Sequence, residues 1–517
     1  MKHHLALATL LAPVGLAVLP SFASAQISLD ISGGIIGENV TLNLSGTVPA
    51  GEFVVATFSD TTGPLAVGSL LPGEPGFWDQ DLSMFSYPGF LQNSNYTNPL
   101  GVLDLSTLPA SLLGVKVFSQ AWTVPGPVSF LDLKSNVVTL ILGLHGASTP
   151  THLPPIAPHA YANTVRLLNG NAVVIGGGSG LGGSGTGSAE VYDYKTSTFF
   201  TTANFPQPRA SSAAALLNDG RVLVCGGLND LGVPTNTAEI FDPNTNSFSA
   251  TGSMGLARML HTAVKLADGR VLVCGGSTAL SGADPVALLL SLISSATLSA
   301  EVYNPATGTW SAATNMPTAR TGHVAAALPD GRVLVAGGVQ PGLFGIPSFL
   351  NSATRYNPST NSWNATASMG GTARAISSVT TLNDGRVMVS GGLTANILTL
   401  TANSVAEVSI YNNASNTWQN GPNLATSRYG HSLTTMPDGA VIAAGGVSGT
   451  VTTTTTPLTV SSVERFAGGA WSTVTPMLES RAVHGAVLTP DGKRIVMIGG
   501  ANDLGAITPA TSELYVP

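Results

Sequence analysis

From residue 159 onward, a pair of glycines recurs directly after a short apolar run, with doublets beginning at Gly176, Gly226, Gly275, Gly337, Gly391, Gly445 and Gly499. Successive doublets lie 50, 49, 62, 54, 54 and 54 residues apart. A period of about 50 residues marks a repeat architecture in which one supersecondary unit is copied and stacked. Every other reading of the chain must accommodate these seven copies.

The unit can be read column by column. Each doublet ends a run such as Arg221-Val222-Leu223-Val224-Cys225, entered through a turn of the type Asn218-Asp219-Gly220. Asp-Gly between two apolar runs is a strong hairpin signal, because glycine accepts the positive φ of the turn. The first two strands of each unit therefore form a hairpin. An acidic-x-aromatic strand start follows, as in Glu301-Val302-Tyr303, and then Asn304-Pro305-Ala306-Thr307-Gly308-Thr309-Trp310 turns the chain into a fourth strand. Four antiparallel strands per unit make one propeller blade.

Aromatic side chains hold the register. Tyr192, Phe241, Tyr303, Tyr356, Tyr411, Phe466 and Tyr515 stand on the third strand; Phe199, Phe248, Trp310, Trp363, Trp418 and Trp471 stand on the fourth. Their expected role is packing between blades. The seventh unit reaches Pro517 before a fourth strand can form, which leaves an open sheet edge. A strand from the N-terminal side is expected to fill that gap, and the repeat spacing counts it back to about Ala147–Leu153.

Glycine doublet, third-strand aromatic and fourth-strand tryptophan together resemble the kelch repeat over residues 159–517. The variant Arg-x-x-His followed by Asp-Gly-Arg-Val-Leu-Val-x-Gly-Gly resembles the bacterial and galactose-oxidase-type branch of that superfamily. The resemblance implies an all-β fold, a seven-bladed propeller. It leaves function open, since such propellers include enzymes, adhesive modules and adaptor scaffolds.

Ahead of the repeats, Lys2, an apolar run from Leu5 to Leu19 and Ala23-Ser24-Ala25 have the layout of a secretory signal peptide cleaved after Ala25. The run is shorter than the ~20 residues needed to span a bilayer. No membrane span is expected, and the destination is secreted, periplasmic or cell-surface. Residues 26–145 alternate in stretches such as Val40-Thr41-Leu42-Asn43-Leu44 and suggest a β-sandwich-like accessory domain. Residues 146–158 read as a linker that includes the expected closing strand.

Composition narrows the partners. The chain is 44% hydrophobic and only 9% charged, with net charge −7; residues 26–145, with nine acids against two lysines, carry a charge of −7 themselves. The repeats are thus nearly neutral, and no basic stripe offers itself to nucleic acid. Cys225 and Cys274 occupy equivalent positions in adjacent units, where they read as small buried residues too far apart to be bridged.

In the assumed geometry the strand-one start and the loop after the doublet share one face. Loop length varies on that face, the longest loops being Ser277–Leu298, Val339–Ser352 and Val447–Ser461, and the apolar run Pro285–Ile293 suggests a short helix. On the same face a column opens six units: Arg209, Arg258, Arg320, Arg374, Arg428 and Arg481, with His159 in the first. Two readings stay open. The guanidinium groups bind a ligand, as arginines of this column do in related kelch proteins, or they tie strands to the carbonyls of neighbouring blades. His261, His323, His431 and His484 follow three residues on; as a metal ring they would be too widely spaced for shared ligation at about 2.1 Å, so structural hydrogen bonding is favoured.

The resemblance also raises a copper radical oxidase, which uses two tyrosines, two histidines and a cysteine cross-linked to a tyrosine. Here no Tyr-His dipeptide occurs. Gly-x-Ser-x-Gly, His-Glu-x-x-His and P-loop patterns are missing as well. The leading expectation is therefore a non-catalytic binding protein, with no cofactor, that recognises a glycan or protein on the loop face. A structural surface or matrix protein is the alternative.

Overall fold

The computed structural model describes residues 159–517 apart from 179–183, 204, 282–284, 343–345, 397–400, 452–457 and 503–511, together with eight strands between residues 28 and 150. The first seven of these strands form two antiparallel sheets. One is built on Asn39–Thr47 with Ser28–Ser32, Asn95–Tyr96 and Pro99–Asp104; the other joins Glu52–Ser59, Lys116–Pro125 and Val138–Ile141.

Among the described residues of the repeat region, seven four-stranded antiparallel sheets follow one another. The second is typical: Ala213–Leu216, Val222–Cys225, Ala238–Asp242 and Ser247–Ala250 pair in that order. Each inner strand neighbours the inner strand of the next sheet, and the seventh returns to the first, so the blades close a ring. The seventh sheet consists of Gly485–Leu488, Ile495–Ile498 and Glu513–Val516, and its outermost strand is Ala147–Pro150. In that pairing Ala147 lies opposite Val516 and Pro150 opposite Glu513. Since outer strands run from the turn face to the loop face, the chain enters the propeller from the turn face.

The second strand is buried at all four positions in every blade, as Val222–Cys225 illustrates. It lies between two strands of its own sheet and under the faces of both neighbouring blades, so its near-continuous apolar run has no polar side to alternate with. Inner strands differ. Thr262–Lys265 and Ser378–Thr381 are only half-buried along most of their length, which explains their Thr, Ser and Ala content.

Core packing is between blades. Val271 and Val273 of one second strand meet Leu223, Cys225 and Ile240 of the preceding blade. Third- and fourth-strand aromatics form tilted pairs with centroids 5.1 Å apart for Tyr303–Trp310, Tyr356–Trp363 and Tyr411–Trp418. Such tilted pairs add about 0.5–1.5 kcal/mol beyond area burial.

The doublets have a local cause. Gly226 (φ 64°) and Gly227 (φ 92°) both adopt left-handed backbone, and the Gly227 N–H donates to the Arg258 carbonyl of the next blade at 2.8 Å. A β-carbon on Gly226 would sit 2.5 Å from His261 Cε1. The doublet is where one blade's backbone meets the next blade's arginine and histidine.

Candidate functional site

The six arginines of the column do not face a channel. Each is at most 1% exposed. Arg428 shows the arrangement: Nη1 donates to the carbonyls of Gly445 (2.7 Å) and Ser462 (2.9 Å), and Nη2 donates to Ser462 Oγ (2.9 Å) and to Glu464 (2.6 Å). Arg209, Arg258 and Arg481 likewise reach the first glycine of their own doublet and a third-strand glutamate: Glu239, Glu301 and Glu513. Arg320 reaches Gly337. Arg374 differs, bonding Thr372 O, Glu407 and Ser409.

Arg209, Arg258, Arg320, Arg374, Arg428 and Arg481 thus tie strands together, the second of the two readings the sequence left open. Their donors are turned inward, so as placed they present no fork to a ligand. The partners also belong to the arginine's own blade, not its neighbour. The tie joins the head of the inner strand to the ends of the second and third strands; the interval from arginine to doublet is 17 residues in five units and 18 in the last.

In blade 1, His159 takes the same place, with Nδ1 2.7 Å from the Gly176 carbonyl and Nε2 3.3 Å from Glu190. The other histidines bridge blades. His431 Nε2 lies 2.8 Å from Ser390 Oγ, His484 Nε2 lies 3.0 Å from Ser432 Oγ, and His323 Nε2 lies 3.0 Å from Thr262 Oγ1. Burial, and next the guanidinium three residues back, holds His323 and His484 down to about 3. His261, 3.7 Å from the Cys225 sulfur, is pushed well down by the same causes. Burial raises the Cys225 thiol to about 12, the opposite of what a nucleophile requires. Both cysteines are free and buried. No cluster of three or more His, Cys, Asp or Glu side chains able to hold a metal ion occurs among the described residues.

What remains for recognition is the loop face. At its centre, the residue two beyond each column position has left-handed backbone: Tyr161, Ser211, Leu260, Gly322, Ile376, Gly430 and Val483. Only two of these are glycine, so the sequence carried no sign of the conformation. Main-chain bonds link them around the channel mouth: Ser211 N to Tyr161 O, Leu260 N to Ser211 O, Ile376 N to Gly322 O, Gly430 N to Ile376 O, Val483 N to Gly430 O and Tyr161 N to Val483 O. Left-handed Ile and Val are costly, roughly 1–3 kcal/mol each, and persist only where the surroundings dictate them. Here the belt does so.

Inserted loops build on this rim. The helix Pro285–Ser294 follows the third doublet. Leu292 packs on Ala210, Leu228 and Met259, while Ile293 packs on Val339 and Ala375, so the helix end spans blades 2 to 5 at the mouth. The hairpin Leu393–Asn396 with Thr401–Ser404 takes Thr450–Val451 of the next blade's loop as a third strand. Six of the nine exposed large hydrophobic side chains among the described residues stand on these loops: Leu231, Val233, Leu290, Leu298, Ile346 and Leu458.

Comparison with known proteins agrees with this architecture. Residues 209–255 and 320–370 match the kelch motif. A solved fungal alcohol oxidase of the AA5 family, in complex with copper, is similar at TM-score 0.54 and 19% identity over 72% of this chain and 76% of its own. The structure of YjhT aligns at TM-score 0.48 and 16% identity over 62% of this chain and 98% of its own. No curated protein is matched. The ring of seven sheets is thus a propeller that carries kelch motifs, and at 19% identity the likeness to the oxidase extends to fold alone.

Proposed function

We propose that this kelch-repeat propeller is an exported binding module whose loop face engages a protein partner. The observation that carries the reading is the placement of the exposed apolar side chains. Leu231 (78% exposed) and Leu458 (66%) project from loops of different blades on one face, with Ile346 and Leu290 on the loops between. Exposed apolar residues scattered singly need no explanation, but their concentration on variable loops over a rigid scaffold is typical of interaction sites. With the arginines bound internally, apolar contact and the hydroxyl-rich loop strands supply recognition. Export rests on the Leu5–Leu19 run and the Ala23-Ser24-Ala25 site. No helix among the described residues is long and apolar enough to cross a membrane.

The test is saturable binding by the full chain to extracellular proteins, identified by crosslinking and then measured with purified partner. Leu231→Ser with Leu458→Ser should weaken it at least tenfold while leaving the melting temperature within about 2 °C, since surface substitutions cost little. Wild-type affinity in that variant, or saturable binding to glycans alone, would overturn the protein reading. A copper oxidase is the competing class, motivated by the AA5 neighbour. Stoichiometric copper with a radical absorption band in purified protein would establish it instead.

A further inference from the structure

In six blades the column residue, an arginine or, in the first, His159, lies beside a glutamate, and in blade 4 no such acid is present among the described residues. Glu190, Glu239, Glu301, Glu464 and Glu513 occupy the same register, opposite Val174, Val224, Val273, Ala443 and Met497 of the second strand. In blade 5 the register position is Ser409, opposite Val389, but Glu407 two residues earlier supplies the charge, 3.2 Å from Arg374 Nη1. Blade 4 has Thr354 there, opposite Val335, and its hydroxyl donates to the Asn364 carbonyl.

Arg320 is nevertheless as buried as its sisters, and no Asp or Glu pairs with it among the described residues. Its Nη1 makes the usual bonds to Gly337 O and Ser352 O. Its Nη2 has only Ser352 Oγ at 3.3 Å, where Nη2 of Arg258 has Ser299 Oγ at 2.6 Å and Glu301 at 2.7 Å. Nε of Arg320 has no partner, but neither has Nε of Arg258 or Arg374, so the difference lies at Nη2. Burial lowers this guanidinium to about 10, which still leaves it charged at neutral pH.

The backbone donors point to the same place. The carboxylates of Glu301, Glu464 and Glu513 each accept two main-chain N–H groups from the residues three and two before the arginine: Gly255 and Leu256, Ala425 and Thr426, Leu478 and Glu479. In blade 4 these positions are Pro317, which has no N–H, and Thr318, whose N–H has no acceptor among the described residues. Arg320 and the Thr318 N–H thus hold the positions whose equivalents in blades 3, 6 and 7 meet a carboxylate, and leaving such a buried cation uncompensated is strongly unfavourable.

We propose that blade 4 binds a small monovalent anion, chloride or a formate- to acetate-sized carboxylate, held by Arg320 Nη2 and by the Thr318 N–H. The anion takes the place of the glutamate carboxylate of the sister blades. At the equivalent place in blade 3 a cavity of about 400 Å³ lined by Gly255, Leu256, Ser299 and Glu301 adjoins the carboxylate.

The experiment uses the full chain in two ways. Crystals soaked in sodium bromide should show an anomalous peak within hydrogen-bond distance of Arg320 and Thr318 N. In solution, trading sodium gluconate for sodium chloride at constant ionic strength should raise the wild-type melting temperature by roughly 2 °C per tenfold chloride above the dissociation constant, by mass action. Thr354→Glu, which supplies the carboxylate covalently, and Arg320→Met, which removes the cation, should each abolish that chloride response. A response equal in all three proteins, or bromide found elsewhere and not beside Arg320, overturns the proposal. Should either variant fail to fold, the bromide position in the wild type decides. None of these outcomes depends on whether the loop face binds a protein.

Discussion

Replacing Arg428 with alanine is the sharpest test of what the arginine column does. The side chain joins Gly445 O, Ser462 O and Ser462 Oγ to Glu464, which is 0% exposed and accepts the N–H groups of Ala425 and Thr426 as well. Truncation leaves Glu464 as a buried charge without its cation, at a cost of about 3–5 kcal/mol. Of the two carbonyls that lose a donor, Ser462 O keeps the Gly445 N–H at 3.1 Å, while Gly445 O adds roughly 1 kcal/mol, the low end for a buried unsatisfied group. The total is about 4–6 kcal/mol. For a domain of this size each kcal/mol moves the melting temperature by roughly 2 °C, so Arg428→Ala should melt about 8 °C or more below wild type. Circular dichroism melts, supported by urea titration, read this directly. The control is Arg270→Ala, whose pair with Asp268 at 2.7 Å is exposed on both sides; it should shift the melt by less than about 2 °C, since such pairs are worth 0–1 kcal/mol. The double variant Arg428→Met, Glu464→Met should recover much of the loss, because replacing both members of a buried pair is far cheaper than removing one. An Arg428→Ala protein that melts with the wild type but loses a loop-face ligand would refute the structural assignment and restore the binding one.

Three further outcomes follow from the same packing. His323 and His484 stay neutral in the folded chain down to about pH 3, whereas unfolded histidines take up protons near 6.5. The unfolded state therefore binds more protons between these values, and stability that is complete above about pH 6.5 should fall as pH drops through that window. His484→Asn should show a shallower fall between pH 7 and pH 4, and parallel melting curves would count against the assignment. Gly226→Ala forces a β-carbon to within 2.6 Å of the Arg258 carbonyl and should cost well over the roughly 1–2 kcal/mol of left-handed strain expected at Gly468, where nothing lies within 4 Å. Equal melting of the two alanine variants would refute the close approach. A chain starting at residue 151 loses the strand opposite Glu513–Val516 and should melt lower and self-associate through the exposed edge, compared with one starting at 147. Matching sedimentation and melting profiles would show that the edge strand contributes nothing.

Much of the propeller was legible because its rules are local. The Asp-Gly turn, the apolar run before the doublet and the paired aromatics each lie within a dozen residues, and strand ends, hairpins and ring pairs sit where those signals place them. The helix Pro285–Ser294 likewise coincides with the apolar run that suggested it. The partner of each arginine was harder to see. Arg209 and Glu239 are 30 residues apart but Arg258 and Glu301 are 43, because the inserted loop lies between them. The acidic residue that opens the third strand was visible as a column of its own. What linear spacing could not show is that the fold superimposes that column on the arginines. The belt at the channel mouth had no signal at all, since Tyr161, Leu260, Ile376 and Val483 are residues that ordinarily avoid left-handed backbone.

The outermost strand of the seventh sheet has a consequence in time as well as in space. Ala147–Pro150 leaves the ribosome before any blade, and its partner Glu513–Val516 leaves after every other strand of the ring, so about 360 residues must be made before the two can meet. Closing so long a loop costs little more than closing a short one, because the entropic term grows only with the logarithm of length. The ring thus works as a completeness check: a chain cut short anywhere in its last blade can build the earlier sheets but has nothing to clasp. Full-length synthesis, and not the stability of any single repeat, becomes the condition for a sealed propeller.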